Sequence, residues 1–277
     1  MEMAQNSPIG IFDSGAGGLS VLSELVKTLP NESYIYFGDS ANCPYGSKTP
    51  KEIIKLSDCI TQFLLEKECK LIVVACNTAT AAAIDHLRKT FNVPFIGMEP
   101  AIKPASLNTK TKSIGVLATA GTFKGRLYIE TSKKYASDVN VCYQVGEGLV
   151  ELVESGKAQS SEAEFLLRKY VEPMIDCNID HLVLGCTHYP FLKPILEKIL
   201  PKEINIIDPA PAVAKQAKKI LEENNLIIKK NTTQNIAFYS SSNTEILRTL
   251  RDNSESLRNY PHKISYYNNI EVCLDTD

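Results

Sequence analysis

Two short fragments of this chain each occur twice, in the same order and at nearly the same separation. IGIFDS at 9–14 aligns with IGVLAT at 114–119, an offset of 105 residues. VVACNT at 73–78 aligns with VLGCTH at 183–188, an offset of 110. One match of a few apolar residues is commonplace, but two in order with similar offsets predict a duplicated supersecondary unit. Whatever fold the chain adopts must therefore present the ends of those fragments, and with them Cys76 and Cys186, in related settings.

The segments around the repeats say which fold that is. An apolar run at 8–12 breaks into the glycine-rich DSGAGG at 13–18 and then into a helical pattern at 19–29, which reads as strand, loop and helix. A second strand is expected at 33–37, an amphipathic helix at 49–66 starting at Thr49-Pro50, a fully apolar strand at 71–75 and an alanine-rich helix at 79–89. Strands at 93–97, 113–118, 139–143, 181–185 and 204–207 follow, separated mostly by helix-period segments. This alternation predicts an α/β protein. The expected architecture is two similar three-layer domains with mostly parallel sheets, related by pseudo-two-fold symmetry, with the active site in the cleft between them. The first domain is expected to comprise residues 1–98 plus 211–277 and to carry Cys76; the second comprises 99–210 and carries Cys186, the joint falling near Pro100 and Pro104. Residues 211–277, with helix patterns at 212–223 and 243–250 and a strand-like run at 235–240, are too short and polar for a core of their own and should pack back on the first half.

Composition removes several function classes. Thirty Lys and Arg against 32 Asp and Glu leave a net charge of −2, with no overall pull toward nucleic acid or an anionic membrane. The basic pairs Lys133-Lys134, Lys218-Lys219 and Lys229-Lys230 read as solvated faces. No apolar run approaches the ~20 residues that span a bilayer, and residues 1–8 lack the pattern of a signal peptide, so a cytoplasmic location is expected. In that compartment the eight cysteines (43, 59, 69, 76, 142, 177, 186 and 273) stay reduced, and most serve as small buried hydrophobes.

Cys76 and Cys186 need another explanation. In open α/β sheets ligand-contacting groups lie beyond the carboxyl ends of the strands, and the repeated fragments place Asp13-Ser14, Cys76-Asn77-Thr78, Ala118-Thr119 and Cys186-Thr187-His188 at such ends. Two opposed thiols suit racemisation, which needs a base on one face of a carbon and an acid on the other, in exchangeable roles. Thiols ionise near pH 8.5 when unperturbed, so neighbours can tip either one into either role. Asp13 has only Ala118 as its counterpart, and His188 only Thr78, so Asp13 is a candidate helper for Cys76 and His188 for Cys186. The glycine-rich turn is neither a P-loop nor GxGxxG; its free amides are expected to accept a small carboxylate at a helix N-terminus. Zinc around Cys186, His188, Cys76 and Cys43 is conceivable, but no pair has the C-x2-4-C spacing of a structural site, so neither metal nor cofactor is expected. Each polar residue also has a bland reading. Asp13, Ser14, Asn77, Thr78 and Thr119 could be helix caps, Tyr45-Gly46 a turn, Thr187 a loop hydroxyl, Glu154 a solvated helix residue and His188 a structural ring.

Four motifs tip the balance: GIFDSGAGG at 10–18, DSANCPYG at 39–46, ACNTA at 75–79 and LGCTHYP at 184–190. With them the chain resembles the aspartate/glutamate racemase superfamily, most closely its glutamate racemase branch, and the resemblance extends over nearly the whole length. It implies cofactor-independent interconversion of L- and D-glutamate by a two-thiol mechanism, Cys76 working on D-glutamate and Cys186 on L-glutamate. Asp13 and His188 would assist, with Glu154 supporting His188. Substrate contacts would come from Asp13, Ser14, Tyr45, Gly46, Asn77, Thr78, Thr119, Thr187 and His188. Around Glu154 the segment GEGLVELVE (146–154) departs from the family pattern, which leaves Glu147 and Glu151 as competitors. The resemblance further implies supply of D-glutamate for peptidoglycan, a small-molecule substrate and no nucleic acid or membrane partner. Homodimers are common in the family; the sequence leaves the oligomeric state open. Aspartate racemase would share both thiols, its cleft fitting one methylene fewer. A two-domain amino acid binding protein would share the cleft but have no use for opposed thiols.

Overall fold

The computed structural model describes residues 4–229 and 235–267. Cys273, Lys230 and residues 1–3 and 268–277 of the expected first domain lie outside the described residues. The chain opens with β1 (Ile9–Asp13), α1 (Leu19–Thr28), β2 (Tyr34–Gly38), α2 (Pro50–Glu66), β3 (Leu71–Val74), α3 (Asn77–Thr90) and β4 (Phe95–Gly97). A second run follows: α4 (Ile102–Asn108), β5 (Ser113–Ala118), α5 (Ala120–Lys124), α6 (Arg126–Tyr135), β6 (Asn140–Val145), α7 (Leu149–Glu154), α8 (Ser161–Asp176), β7 (His181–Gly185), α9 (Lys193–Ile199) and β8 (Asn205–Ile207). The return segment supplies α10 (Ala210–Glu223), β9 (Ile236–Ser240), α11 (Glu245–Asp252) and β10 (His262–Tyr266).

The strands form two parallel sheets, in the orders β10-β9-β2-β1-β3-β4 and β6-β5-β7-β8. The run β2-β1-β3-β4 has the same connectivity as β6-β5-β7-β8. Even the register agrees: Ile11 pairs with Val73, and Val116 pairs with Val183, which are the residues the sequence repeat equates. β1 and β3 are buried along their whole lengths, as helices on both faces demand of apolar, unalternating strands.

Local chemistry starts the helices where the sequence reading expects. At α2, Thr49 Oγ1 accepts from the Glu52 amide and Glu52 Oε2 accepts from the Thr49 amide at 2.8 Å, a reciprocal capping box, with Pro50 at the first helical position. The return segment packs on the first sheet: β9 pairs with β2, and β10 with β9. At the end of β3 opposite Cys76, Lys70 and Glu32 form an almost wholly buried ion pair at 2.6 Å. Lys70 also donates to the carbonyls of Gln5 and Leu226 (2.5 and 2.8 Å), and Glu32 accepts from the Ile228 amide (2.9 Å), fastening the segment before β1 and the one after α10 to the start of β3.

Candidate active site

Each cysteine of the repeat stands just past the carboxyl end of a central strand, Cys76 after β3 and Cys186 after β7, and both are buried. Their local structures then diverge. Cys76 is itself the N-cap of the long helix α3, its Sγ 3.4 Å from the Ala79 amide that donates to it. A helix N-terminus favours an anionic sulfur. Cys186 leads instead into a short 3-10 turn at Tyr189–Leu192, with His188 Nδ1 3.7 Å from its Sγ.

A hydrogen-bonded network joins the two halves around these thiols. Asp13, at the end of β1, accepts from the amides of Gly15 (3.2 Å) and Gly18 (3.1 Å) through Oδ2 and from the Thr187 hydroxyl (3.1 Å) through Oδ1. Cys76 Sγ donates to Ser14 Oγ at 3.6 Å. His188 Nε2 donates to Glu154 Oε1 at 2.6 Å, and the Ala16 amide donates to that same oxygen, also at 2.6 Å. This packing leaves no room beside the glycine loop: a Cβ on Gly17 would collide with the His188 ring, and one on Gly15 with the Glu154 carboxylate. Ser20 Oγ lies 3.0 Å from the Thr187 carbonyl and adds a further tie between the halves.

Burial and charge set the protonation preferences. Burial, reinforced by the Asp13 carboxylate, pushes the Cys76 thiol up to about 12, against the opposing effect of the Ala79 amide and Ser14. Burial also lifts the Asp13 carboxyl above its ordinary value, although the His188 charge pulls it back. For His188 burial works the other way, but hydrogen bonds to Cys186, Cys43 and Glu154 outweigh it and hold the imidazole well above its usual value. Glu154 resists burial through the same bond and stays below the usual carboxylate range. His188 and Glu154 are thus an imidazolium–carboxylate pair, set beside Cys186.

Among the three acids of the 147–154 segment, Glu154 reaches His188, whereas Glu147 and Glu151 line a separate cavity of about 260 Å³ with Gly46 and Thr119. Thr78, Thr119 and Thr122 form a chain of hydroxyls (2.8 and 2.9 Å), and Gly46 and Thr78 share a neighbouring cavity of about 330 Å³. Asn77 is buried with neither end of its amide partnered, so it can both donate to and accept from a ligand. Two sequence expectations take a different form. Tyr45 is buried, but its hydroxyl donates to Asp39 at 2.6 Å, and Asp39 is itself held by Ser241 from the return segment. The amides of Gly15, Ala16 and Gly18, expected to await a ligand carboxylate, are occupied by the protein's own Asp13 and Glu154. Asp13 makes its side-chain hydrogen bond across the cleft to Thr187, and acts on Cys76 through charge. The sequence raises Cys43 only as a conceivable zinc ligand and assigns it no catalytic or substrate-binding role; its thiol lies against His188 and Glu154, and its position inside DSANCPYG is the available signal.

Comparison with known proteins finds relatives over most of the chain's length. Residues 9–217 match the family described as Asp/Glu/Hydantoin racemase. A glutamate racemase from Stutzerimonas stutzeri is 45% identical over 240 residues, which is 86% of this chain and 90% of that protein. Among solved structures, a glutamate racemase isoform from Bacillus anthracis superposes with a TM-score of 0.85 at 29% identity, covering 95% of this chain and 98% of that one. A glutamate racemase from Francisella tularensis in complex with D-glutamate superposes with a TM-score of 0.81 at 32% identity, with the same coverage of 95% and 98%.

Proposed function

This chain is a racemase of the aspartate/glutamate/hydantoin racemase family, and from that premise we propose that it interconverts L- and D-glutamate through two thiols, without a cofactor. The observation that carries the reading is the placement of Cys76 and Cys186: buried, at equivalent strand ends of two sheets, and each beside groups able to stabilise a thiolate. In the D-to-L direction the Cys76 thiolate removes the α-proton and the Cys186 thiol delivers a proton to the opposite face. The enzyme is left with Cys76 protonated and Cys186 ionised, which is the starting state for L-to-D.

His188, kept protonated by Glu154, stabilises negative charge on Cys186. The N-terminus of α3 does the same for Cys76, and Asp13 tunes that thiol while Thr187 holds its carboxylate in place. Ser14, Asn77, Thr78, Thr119 and Thr187 present the hydroxyls and amide that bind a small dicarboxylate; the unpartnered Asn77 amide supports this. Tyr45 contributes by fixing the loop that carries Gly46. We assign residues 1–98 and 211–277 to the domain bearing Cys76 and 99–210 to the one bearing Cys186, and the activity to cytoplasmic supply of D-glutamate for peptidoglycan. Incubation with either enantiomer in deuterated water tests the reaction. Loss of optical rotation with α-deuterium incorporation is expected, unaffected by chelator; no exchange with either enantiomer refutes it.

A further inference from the structure

Cys43, Glu154 and His188 come from three separate parts of the chain, yet one ligating atom from each lies within 4.8 Å of the other two. Thiolate, imidazole and carboxylate are together a familiar donor set for zinc. We propose that this cluster is a capture site for a thiophilic divalent cation such as Zn²⁺, and that a cation seated there reversibly switches the enzyme off. Tetrahedral bonds of about 2.0–2.3 Å put neighbouring donors roughly 3.5 Å apart, so the three atoms need only small side-chain adjustments, and the 2.6 Å bond between His188 and Glu154 opens by about 1 Å. Glu154 also lines a cavity of about 520 Å³ with Ser40, Ser155 and Ser242, so its side of the cluster borders open space.

Binding displaces the Cys43 thiol proton and the His188 proton that Glu154 holds, and both leave to solvent. His188 is then committed to the metal and no longer available as the cation beside Cys186. Cys43 carries no proton in the proposed reaction but lies against His188, so its mutation is read by sensitivity to the metal and not by rate. The binding rests on geometry alone; its effect on turnover rests on the racemase reading above.

Co²⁺ and Zn²⁺ are the probes, added to the full chain in a reductant that does not chelate metal. One equivalent of Co²⁺ should produce a near-ultraviolet thiolate-to-cobalt band, which Cys76→Ser and Cys186→Ser keep and Cys43→Ala abolishes. Glu154→Gln should weaken binding by roughly ten- to a hundredfold. Zn²⁺ should inhibit racemisation by the wild type, reversibly on adding chelator, while whatever activity Cys43→Ala retains resists Zn²⁺. Should that variant fold poorly, Cys43→Ser serves in its place. A band that survives loss of Cys43, or that requires Cys186 instead, overturns the site. The cobalt titration reads the site even if the chain racemises nothing, so failure of one reading is distinguishable from failure of the other.

Discussion

Replacing Glu154 by glutamine keeps the shape of the side chain and removes its charge from one end of the imidazole. Two opposite charges about 4 Å apart interact by about 4 kcal/mol at an effective dielectric of 20. Part of this is returned, because the amide oxygen still accepts from His188 and from the Ala16 amide, and because a buried carboxylate no longer has to be desolvated. A net loss of about 1.5–3 kcal/mol, the usual value of a hydrogen bond to a charged group, is left. If His188 must be an imidazolium to stabilise charge on Cys186, that loss lowers its pKa by about one to two units. Racemisation at neutral pH should slow roughly ten- to a hundredfold. The assay is kcat and kcat/KM by circular dichroism across pH in both directions, with Glu147→Gln and Glu151→Gln as controls that stay near wild type. The limb of the profile that requires protonated His188 should move to lower pH. Wild-type rates with an unmoved profile would refute the claim that Glu154 acts through His188, as would an equal loss in the Glu151 variant.

Cys76→Ser and Cys186→Ser should each lower racemisation by orders of magnitude while glutamate still binds; calorimetry with kinetics checks both, and near-wild-type turnover in either variant sinks the two-thiol mechanism. Asp13→Asn should slow deuterium exchange into D-glutamate more than into L-glutamate, and His188→Asn the reverse, as read from initial α-proton exchange; equal slowing would mean that both act on shared binding. Gly17→Ala should abolish activity without unfolding the chain, because the added methyl displaces the His188 ring; retained activity with unchanged circular dichroism contradicts that. Lys70→Met strands Glu32 as a buried charge and should cost about 3–5 kcal/mol in urea unfolding; a loss under 1 kcal/mol would show that the pair is not holding the segments around Gln5 and Leu226.

The sheets were legible because their strands are apolar runs bounded by turn residues, and the strands at 113–118 and 181–185 fall where the reading put them. β10 was not. Only Ile264 and Ser265, one on each face of His262–Tyr266, are even half-buried, so an edge strand of HKISY carries none of the hydrophobic signal that marks β3. Within the site, both thiols and the residues beside them followed from the repeat. What composition and spacing could not say was which of Glu147, Glu151 and Glu154 reaches His188, since one turn of α7 separates contacts with quite different surroundings. Nor could they show that amides of the glycine loop would be taken by Asp13 at the end of β1 and by Glu154 of α7, the second of which depends on how the halves meet.

The duplication and its defects follow from one requirement of the proposed reaction. The two enantiomers of an amino acid direct the same α-proton to opposite faces while their carboxylate and ammonium groups can occupy the same places. A racemising site must therefore be symmetric in its proton carriers and asymmetric in everything that grips the substrate. Identical registers, Ile11 on Val73 and Val116 on Val183, deliver the symmetric part by setting Cys76 and Cys186 at equivalent points of two sheets. The unequal part comes from substitution around them: Asp13 against Ala118, Thr78 against His188, and a long capped helix after one thiol against a 3-10 turn after the other. In the proposed reaction each thiolate would be stabilised by a different device, the Ala79 amide at the start of α3 on one side and an imidazolium held by Glu154 on the other. Because the equilibrium constant of a racemisation is unity, kcat/KM stays equal in the two directions however unequal the devices are, so weakening the His188–Glu154 pair should lower both together.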